Sequence, residues 1–526
     1  METPKNILLI YKYFIRFKNC ILLFFILQIA LVLVFIFTCN MICNTCYLRL
    51  STKVAFSSVV QYRDLISIKN KKNHEWCRLQ KWRVNWKGMI GSCEGKMAWE
   101  KREVNSWYRT DPDKSYIKKW DLQNAGKFSK LWIQSVSKKG HIKTFGGDSW
   151  RIYVRQGPQS IAPIVIDHDN GLYEVVMLIT EPGNYSANIY LDYTLCDGLR
   201  EPPTGWFING TDYGTYLDPK EGILGNIEHD HINRLLNSFN FTIHGDASSS
   251  SKKALDDQGC YTKCSLLWDG YGYWKENEWF LYESKHVASK PPSNHQAQTK
   301  RSGTLWVYGD SLGMRFIDSM KEHPLCTSIF DRCGYTYNWI YEVKDKRHPL
   351  KVRTEFNKTV VINKIRQLLE NQDINQPDSI FVFSLGVHFP ISLSFSSYQD
   401  LIESVILLLN EKKNGRKAFQ GTAVWKSTTA IEKHKITRIP WPAKPLNYTM
   451  FRFLTTQRNQ LFHTFSMSAM CKADIKVLDV YPLSTAFHQG TLDYVHYNDT
   501  VFYPAANVIK NYAIASRRRR QENTKE

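Results

Sequence analysis

A chain of 526 residues with 43% hydrophobic and 13% aromatic content has material for about two to four packed domains and is too apolar to be an intrinsically disordered one. Its formal charge of +20 would suit an anionic glycan or a nucleic acid, but a basic balance speaks to fields and solubility rather than to fold. No zinc-finger, RNA-binding or basic-zipper pattern accompanies the charge, so no nucleic acid is expected as a partner.

In chain order, residues 1–20 form a basic tail carrying Lys5, Lys12, Arg16 and Lys18, followed by an apolar segment, 21–42, whose stretch 21–37 is broken only by Gln28. A bilayer span needs about 20 such residues, whereas the apolar core of a cleaved signal peptide runs to about 7–15. The basic residues precede the segment, so the positive-inside bias predicts a single-pass type II signal anchor with 1–20 in the cytosol. Everything beyond the span then lies in the secretory lumen or outside the cell, beginning with a stem at 43–72.

Two features agree with that orientation. Asn184, Asn209, Asn240, Asn357, Asn447 and Asn498 each open an Asn-x-Ser/Thr acceptor for glycosylation, usable only in the secretory path. Past Cys39, Cys43 and Cys46, the body holds an even set of cysteines, Cys77, Cys93, Cys196, Cys260, Cys264, Cys326, Cys333 and Cys471, for which disulfides are the default in an oxidising compartment. Zinc at Cys260 and Cys264, or at His229 and His231, would need further ligands at suitable spacing, and none is found. No metal is expected.

Residues 73–200 open with a tryptophan-rich stretch, then give short β-rich runs from Trp150, Leu172 and Tyr185, separated by Gly, Pro and Asn turns. That pattern predicts a small β-sandwich, suited to binding or positioning. Residues 201–303 read as a connecting region, with Cys264 to Trp279 as an aromatic cap. From 304 to 516 the texture changes to apolar strands at Leu305–Asp310, Ile380–Gly386, Gly421–Ser427 and Ile475–Tyr481, alternating with helical stretches near 360–371, 397–410 and 449–469. This alternation predicts an α/β domain whose parallel sheet has helices on both faces. Residues 517–526, with Arg517 to Arg520, read as a basic tail.

In a parallel sheet the site lies beyond the carboxyl ends of the strands. The first strand ends in Gly309-Asp310-Ser311 at a helix start, where backbone amides can stabilise developing negative charge. A serine needs a base, and the base an orienting carboxylate. Asp493-Tyr494-Val495-His496, just past the fourth strand, supplies both. The candidate roles are therefore Ser311 as nucleophile, His496 as base and Asp493 as its orienter. Each motif alone also suits an ordinary helix cap.

Gly309-Asp310-Ser311 and Asp493-x-x-His496, framing a sheet of this length, resemble the SGNH/GDSL hydrolase superfamily and its PC-esterase branch. With the anchor, the β module and the late catalytic domain, the chain resembles the neurexophilin and PC-esterase family over most of 70–516. The resemblance implies a neurexophilin-like β-sandwich, an SGNH-like α/β domain, a Golgi membrane location with a lumenal site, and O-acyl transfer, chiefly O-acetyl, on glycan hydroxyls such as those of sialic acid. No cofactor is bound in such a scheme; acetyl-CoA is a candidate acyl donor, and a glycan or glycoprotein the substrate. Many SGNH enzymes carry Gly-x-Asn where this chain has Gly386-Val387-His388, which makes His388 an oxyanion candidate beside the Ser311 amide; Gly334 is the candidate glycine donor. Trp339, Trp425 and Trp441 lie near predicted strand ends, where core packing competes with sugar stacking. The alternatives are a glycan O-acetyl esterase, or a non-catalytic binding protein at the cell surface or secreted.

Overall fold

The computed structural model describes residues 75–99, 106–203, 230–245, 264–268, 270–282, 301–338, 356–438 and 452–523. The expected cytosolic tail, anchor and stem lie outside them, as do Asn209, Asn447, Cys260, Trp339 and Trp441. Among the described residues no helix is long and apolar enough to cross a membrane.

The first half is built from strands β1 (Tyr116–Asp121), β2 (Lys127–Gln134), β3 (Ser149–Gln156), β4 (Ser160–Ile161), β5 (Ile164–Asp167), β6 (Leu172–Ile179), β7 (Gly183–Tyr193) and β8 (Arg234–Ile243). Three short strands follow: β9 (Leu266–Trp268), β10 (Gly272–Lys275) and β11 (Glu278–Leu281). One antiparallel sheet has the order β1-β2-β6-β5 and a second the order β11-β10-β4-β3-β7-β8. Their facing residues recur at every second position, as a pleated strand requires. Leu131 and Ile133, then Tyr173, Val175, Met177 and Ile179, meet Tyr185, Ala187, Ile189 and Leu191 in one shared core. Burying each Leu, Ile, Val or Met side chain among them contributes about 1.5–3 kcal/mol. β6 is apolar on its other face too, because Leu79 and Trp82 of the helical segment 75–82 cover Val176.

The second half holds β12 (Thr304–Gly309), β13 (Arg332–Tyr337), β14 (Ile380–Phe383), a small hairpin of β15 (Lys412–Lys413) and β16 (Arg416–Lys417), then β17 (Thr422–Lys426) and β18 (Lys476–Leu478). A six-stranded sheet has the order β13-β12-β14-β17-β18-β9, and every pair in it is parallel. Helices α1 (Ser311–Asp318), α2 (Lys358–Glu370), α3 (Phe395–Leu409), α4 (Thr456–Lys472) and α5 (Tyr503–Asn523) supply the layers. Phe381 and Phe383 point into a cluster with Ile365, Leu401 and Phe462 of α2, α3 and α4. Their neighbours Ile380 and Val382 point the other way, against Phe316 of α1 and Ile509 of α5. Both faces are thus covered, the condition under which parallel strands read as continuous apolar runs.

Three expectations need revision. The sheet has six strands, not the four read from the sequence: β13 is a half-buried edge with mixed residues, and β9 has three residues. The supposed connecting region with its cap is shared out instead, β9 completing the parallel sheet while β10 and β11 extend the sandwich. The basic tail is the end of α5. Arg517 is 4% exposed and donates to the carbonyls of Ile329 and Ser302 at 3.0 and 2.6 Å, and Arg520 pairs with Asp378 at 2.5 Å. Disulfides join Cys93 to Cys196, Cys264 to Cys471 and Cys326 to Cys333.

Candidate active site

β12 ends at Gly309 and α1 begins at Ser311, so Asp310 is the residue between strand and helix. Its extended backbone and short carboxylate suit a helix cap. Oδ1 accepts from the Leu312 amide at 3.0 Å, and Oδ2 from the Val387 amide at 2.9 Å. Only 1% of Asp310 is exposed. Gly386, with φ of +71°, passes so close that a Cβ there would lie 2.0 Å from Asp310 Oδ2; only glycine meets both conditions at low cost. The Tyr335 hydroxyl donates to the Asp310 carbonyl at 3.1 Å, and the Asn338 amide to the Gly309 carbonyl at 2.9 Å. The turn beneath Ser311 is therefore fixed from β12, β13 and the end of β14 at once.

The second loop follows β18. Asp493 Oδ1 accepts from the amides of Tyr494, Val495 and His496 at 2.5, 2.7 and 2.8 Å, which curls the chain around its own carboxylate. Oδ2 is left for the His496 ring, at 2.7 Å from Nδ1. Nε2 then lies 2.8 Å from Ser311 Oγ. Burial would raise the Asp493 carboxyl, but the His496 hydrogen bonds and the amides outweigh it and hold the group well below the usual carboxylate range. Val495, buried beside His496, packs with Leu312, Val387, Ile391, Ile431, Ile436 and Leu454, so one apolar cluster backs both loops.

Ser311, Asp493 and His496 come together within hydrogen-bond reach. The arrangement can do one thing well: an imidazole fixed by a carboxylate at Nδ1 can take a proton from the serine at Nε2, at a helix N-terminus whose amides favour an oxyanion. His388 begins a short helix, His388–Ser392, and its Nε2 lies 3.1 Å from the Tyr337 hydroxyl. It is one residue from the Val387 amide that Asp310 holds, which sets it at the same sheet edge as Ser311. Gly334 is not brought there. It lies mid-strand in β13, in register with Trp306 and covered by that ring, whereas Tyr337 is the residue level with Gly309. Trp425 is 2% exposed and packs edge-on to Phe383, a core position.

Two residues near the site escaped the sequence reading. Lys426 ends β17 with 1% exposure, its Nζ 3.3 Å from the Ser427 carbonyl and 5.8 and 5.9 Å from the ring centres of Phe316 and Phe502. Burial pulls its ammonium down from 10.5 to about 8, against the opposing pull of the Asp310 carboxylate. Glu432, 2% exposed, holds the start of the His496 loop. Only the apolar context of GTAVWKS hinted at the first, and no local signal marked the second.

Of the acceptor asparagines, Asn184, Asn240, Asn357 and Asn498 are exposed. Among the described residues no group of three His, Cys, Asp or Glu side chains could hold a metal ion, and Cys264, weighed above as a ligand, is disulfide-bonded.

No family model matches the chain. One solved crystal structure aligns with 42% of this chain and 98% of its own length, at 11% identity and a TM-score of 0.26, a likeness too slight to carry an argument about fold or function.

Proposed function

We propose that the chain is a serine-dependent acyltransfer enzyme of SGNH type that works on glycan hydroxyls, preceded by a neurexophilin-like β-sandwich and anchored in a Golgi membrane with its site in the lumen. One observation carries the chemistry: the relay from Asp493 through His496 to Ser311, with contacts of 2.7 and 2.8 Å, at the carboxyl edge of a parallel sheet.

In the mechanism this supports, Ser311 Oγ attacks the acyl carbonyl as His496 Nε2 takes the hydroxyl proton. The Ser311 amide, with His388 as a second donor, faces the oxyanion. The tetrahedral species collapses, the bond to the leaving group breaks, and His496 returns the proton to that group, a thiol if the donor is acetyl-CoA. A sugar hydroxyl, its proton taken by His496, then attacks the acyl-serine; collapse frees Ser311, which regains the proton, and leaves an O-acyl glycan. Asp493 stabilises the imidazolium throughout.

The esterase reading is favoured by a separate observation. The side chains of His496 and Asp493 are 25% and 29% exposed among the described residues, and water that reaches an acyl-serine competes with a sugar acceptor. The two readings part on one assay. Full-length protein given labelled acetyl-CoA and a sialylated acceptor should place label on the sugar in a Ser311-dependent way; loss of acetyl from pre-acetylated glycan with no transfer would establish the esterase. Absence of any Ser311-dependent labelling by a fluorophosphonate would reject both.

A further inference from the structure

The loop that carries Asp493 and His496 is tied to the β-sandwich through a buried ion pair. Arg155, in β3, pairs with Glu432 Oε1 and donates to the Thr485 carbonyl at 3.1 Å. Glu432 Oε2 accepts from the amide of Thr491 at 2.9 Å and from its hydroxyl at 2.8 Å. The Glu432 amide in turn donates to the Tyr494 carbonyl at 2.9 Å. Lys435 completes the group, 2.6 Å from Glu432. Gly490 leaves room for it, since a Cβ there would lie 2.5 Å from Glu432 Oε2 and 2.7 Å from Arg155. The loop is thus gripped on both sides of Asp493, at Thr491 and at Tyr494.

We infer that Arg155 and Glu432 are positioning residues for the base, and that the β-sandwich is thereby a working part of the active site rather than a separate recognition module. This rests on the reading of Ser311 and His496 given above. The physical reason is one of burial. Glu432 is 2% exposed, and a buried carboxylate persists only if all its neighbours satisfy it. Arg155 and Lys435 hold it charged despite burial. With the charge so held, Thr491 has a fixed acceptor, and the curl of Asp493 starts from a fixed point. A misplacement of about 1 Å at such a site costs on the order of 100-fold in rate.

The test uses the full-length chain and two readouts. The double variant Arg155→Met with Glu432→Leu replaces the buried pair by apolar groups of similar size, a change that is often tolerated in stability. Hydrogen exchange over 490–497 should speed by at least about 10-fold, and the maximal rate of Ser311 labelling by a fluorophosphonate should fall by about 100-fold with little change in probe affinity. Arg155→Lys, which keeps the charge opposite Glu432, should recover most of that rate. Should the double variant not fold, Thr491→Val removes only the hydroxyl contact and should show both effects in smaller measure. Unchanged exchange and labelling in a folded variant would overturn the inference. If the wild type is itself not labelled, the proposed function fails, and the exchange measurement alone decides whether Arg155 and Glu432 hold the loop.

Discussion

The two halves of the candidate site are held in opposite ways. The turn beneath Ser311 is sealed: Asp310 is 1% exposed, and its partners all come from the edge of the sheet it belongs to. The side chains of His496 and Asp493 in the second loop are 25% and 29% exposed, and Glu432, which anchors that loop, reaches across 277 residues to Arg155. The Ser311 turn is therefore held by the α/β domain alone, whereas the His496 loop is tied in addition to the sandwich through Arg155. A sealed turn responds to substitution by losing its fold; a polar, open loop responds by losing its aim.

The sharpest break of that contrast is chemical. Ser311→Ala should abolish fluorophosphonate labelling while leaving the level and glycosylation of the protein intact, and His496→Ala should lower it by on the order of 10⁴-fold, with the double variant no worse than the serine variant. Equal labelling of wild type and Ser311→Ala would refute the assignment. Next in size is Gly386→Ala. Both the positive φ and the Asp310 carboxylate oppose a Cβ there, so thermal unfolding should report a loss of more than about 2 kcal/mol, whereas His496→Ala should leave the melting temperature within a few degrees.

Lys426 offers a change of the opposite sign. An ammonium lowered to about 8 in the folded protein has lost its proton between about pH 8 and 10.5 while the unfolded chain still holds one. The unfolded state binds more protons there, so stability rises with pH across that window, and the charge is a cost at neutral pH. Lys426→Met should therefore stabilise by about 1–3 kcal/mol at pH 7 and flatten the pH dependence; a destabilised variant would mean that the charge supports Asp310 more than burial opposes it. The smallest effect concerns Asn498, which is exposed and two residues past His496, with Oδ1 accepting from Thr500 at 3.2 Å. A glycan there would crowd the substrate's path, so peptide mapping should find the position sparsely occupied in active protein.

Ser311, Asp493 and His496 were legible because their pattern is local: an apolar strand, then a capping residue, then a hydroxyl, and later a carboxylate three residues before a histidine. The four central strands were legible as apolar runs for the same reason. β13 was not, since a half-buried edge strand keeps polar residues such as Arg332 and Thr336 among its apolar ones. β9 is too short to show a period. Gly334 was a candidate only because the resemblance implies a glycine donor, yet it passes under Trp306 in mid-strand. Arg517 read as part of a charged tail because four arginines in a row dominate any window, while the carbonyls that bind it lie 188 and 215 residues away. Glu432 was invisible for that reason as well: its meaning lies wholly in contacts with Arg155 and Thr491.

The pairing of β9 with β18 also sets an order of events during synthesis. The strand leaves the ribosome early, yet the residues it needs come roughly two hundred positions later, a span that the Cys264–Cys471 link measures as 207. At a translation rate of about 5–20 residues per second, Leu266–Trp268 waits roughly 10–40 s for Lys476–Leu478 to emerge. During that wait the parallel sheet has an unfinished edge and an unclaimed apolar strand, the combination that attracts chaperones and wrong partners. Truncation between β11 and β18 should therefore yield a chain that stays bound to chaperones or aggregates, even though the sandwich strands β1 to β8 are all present.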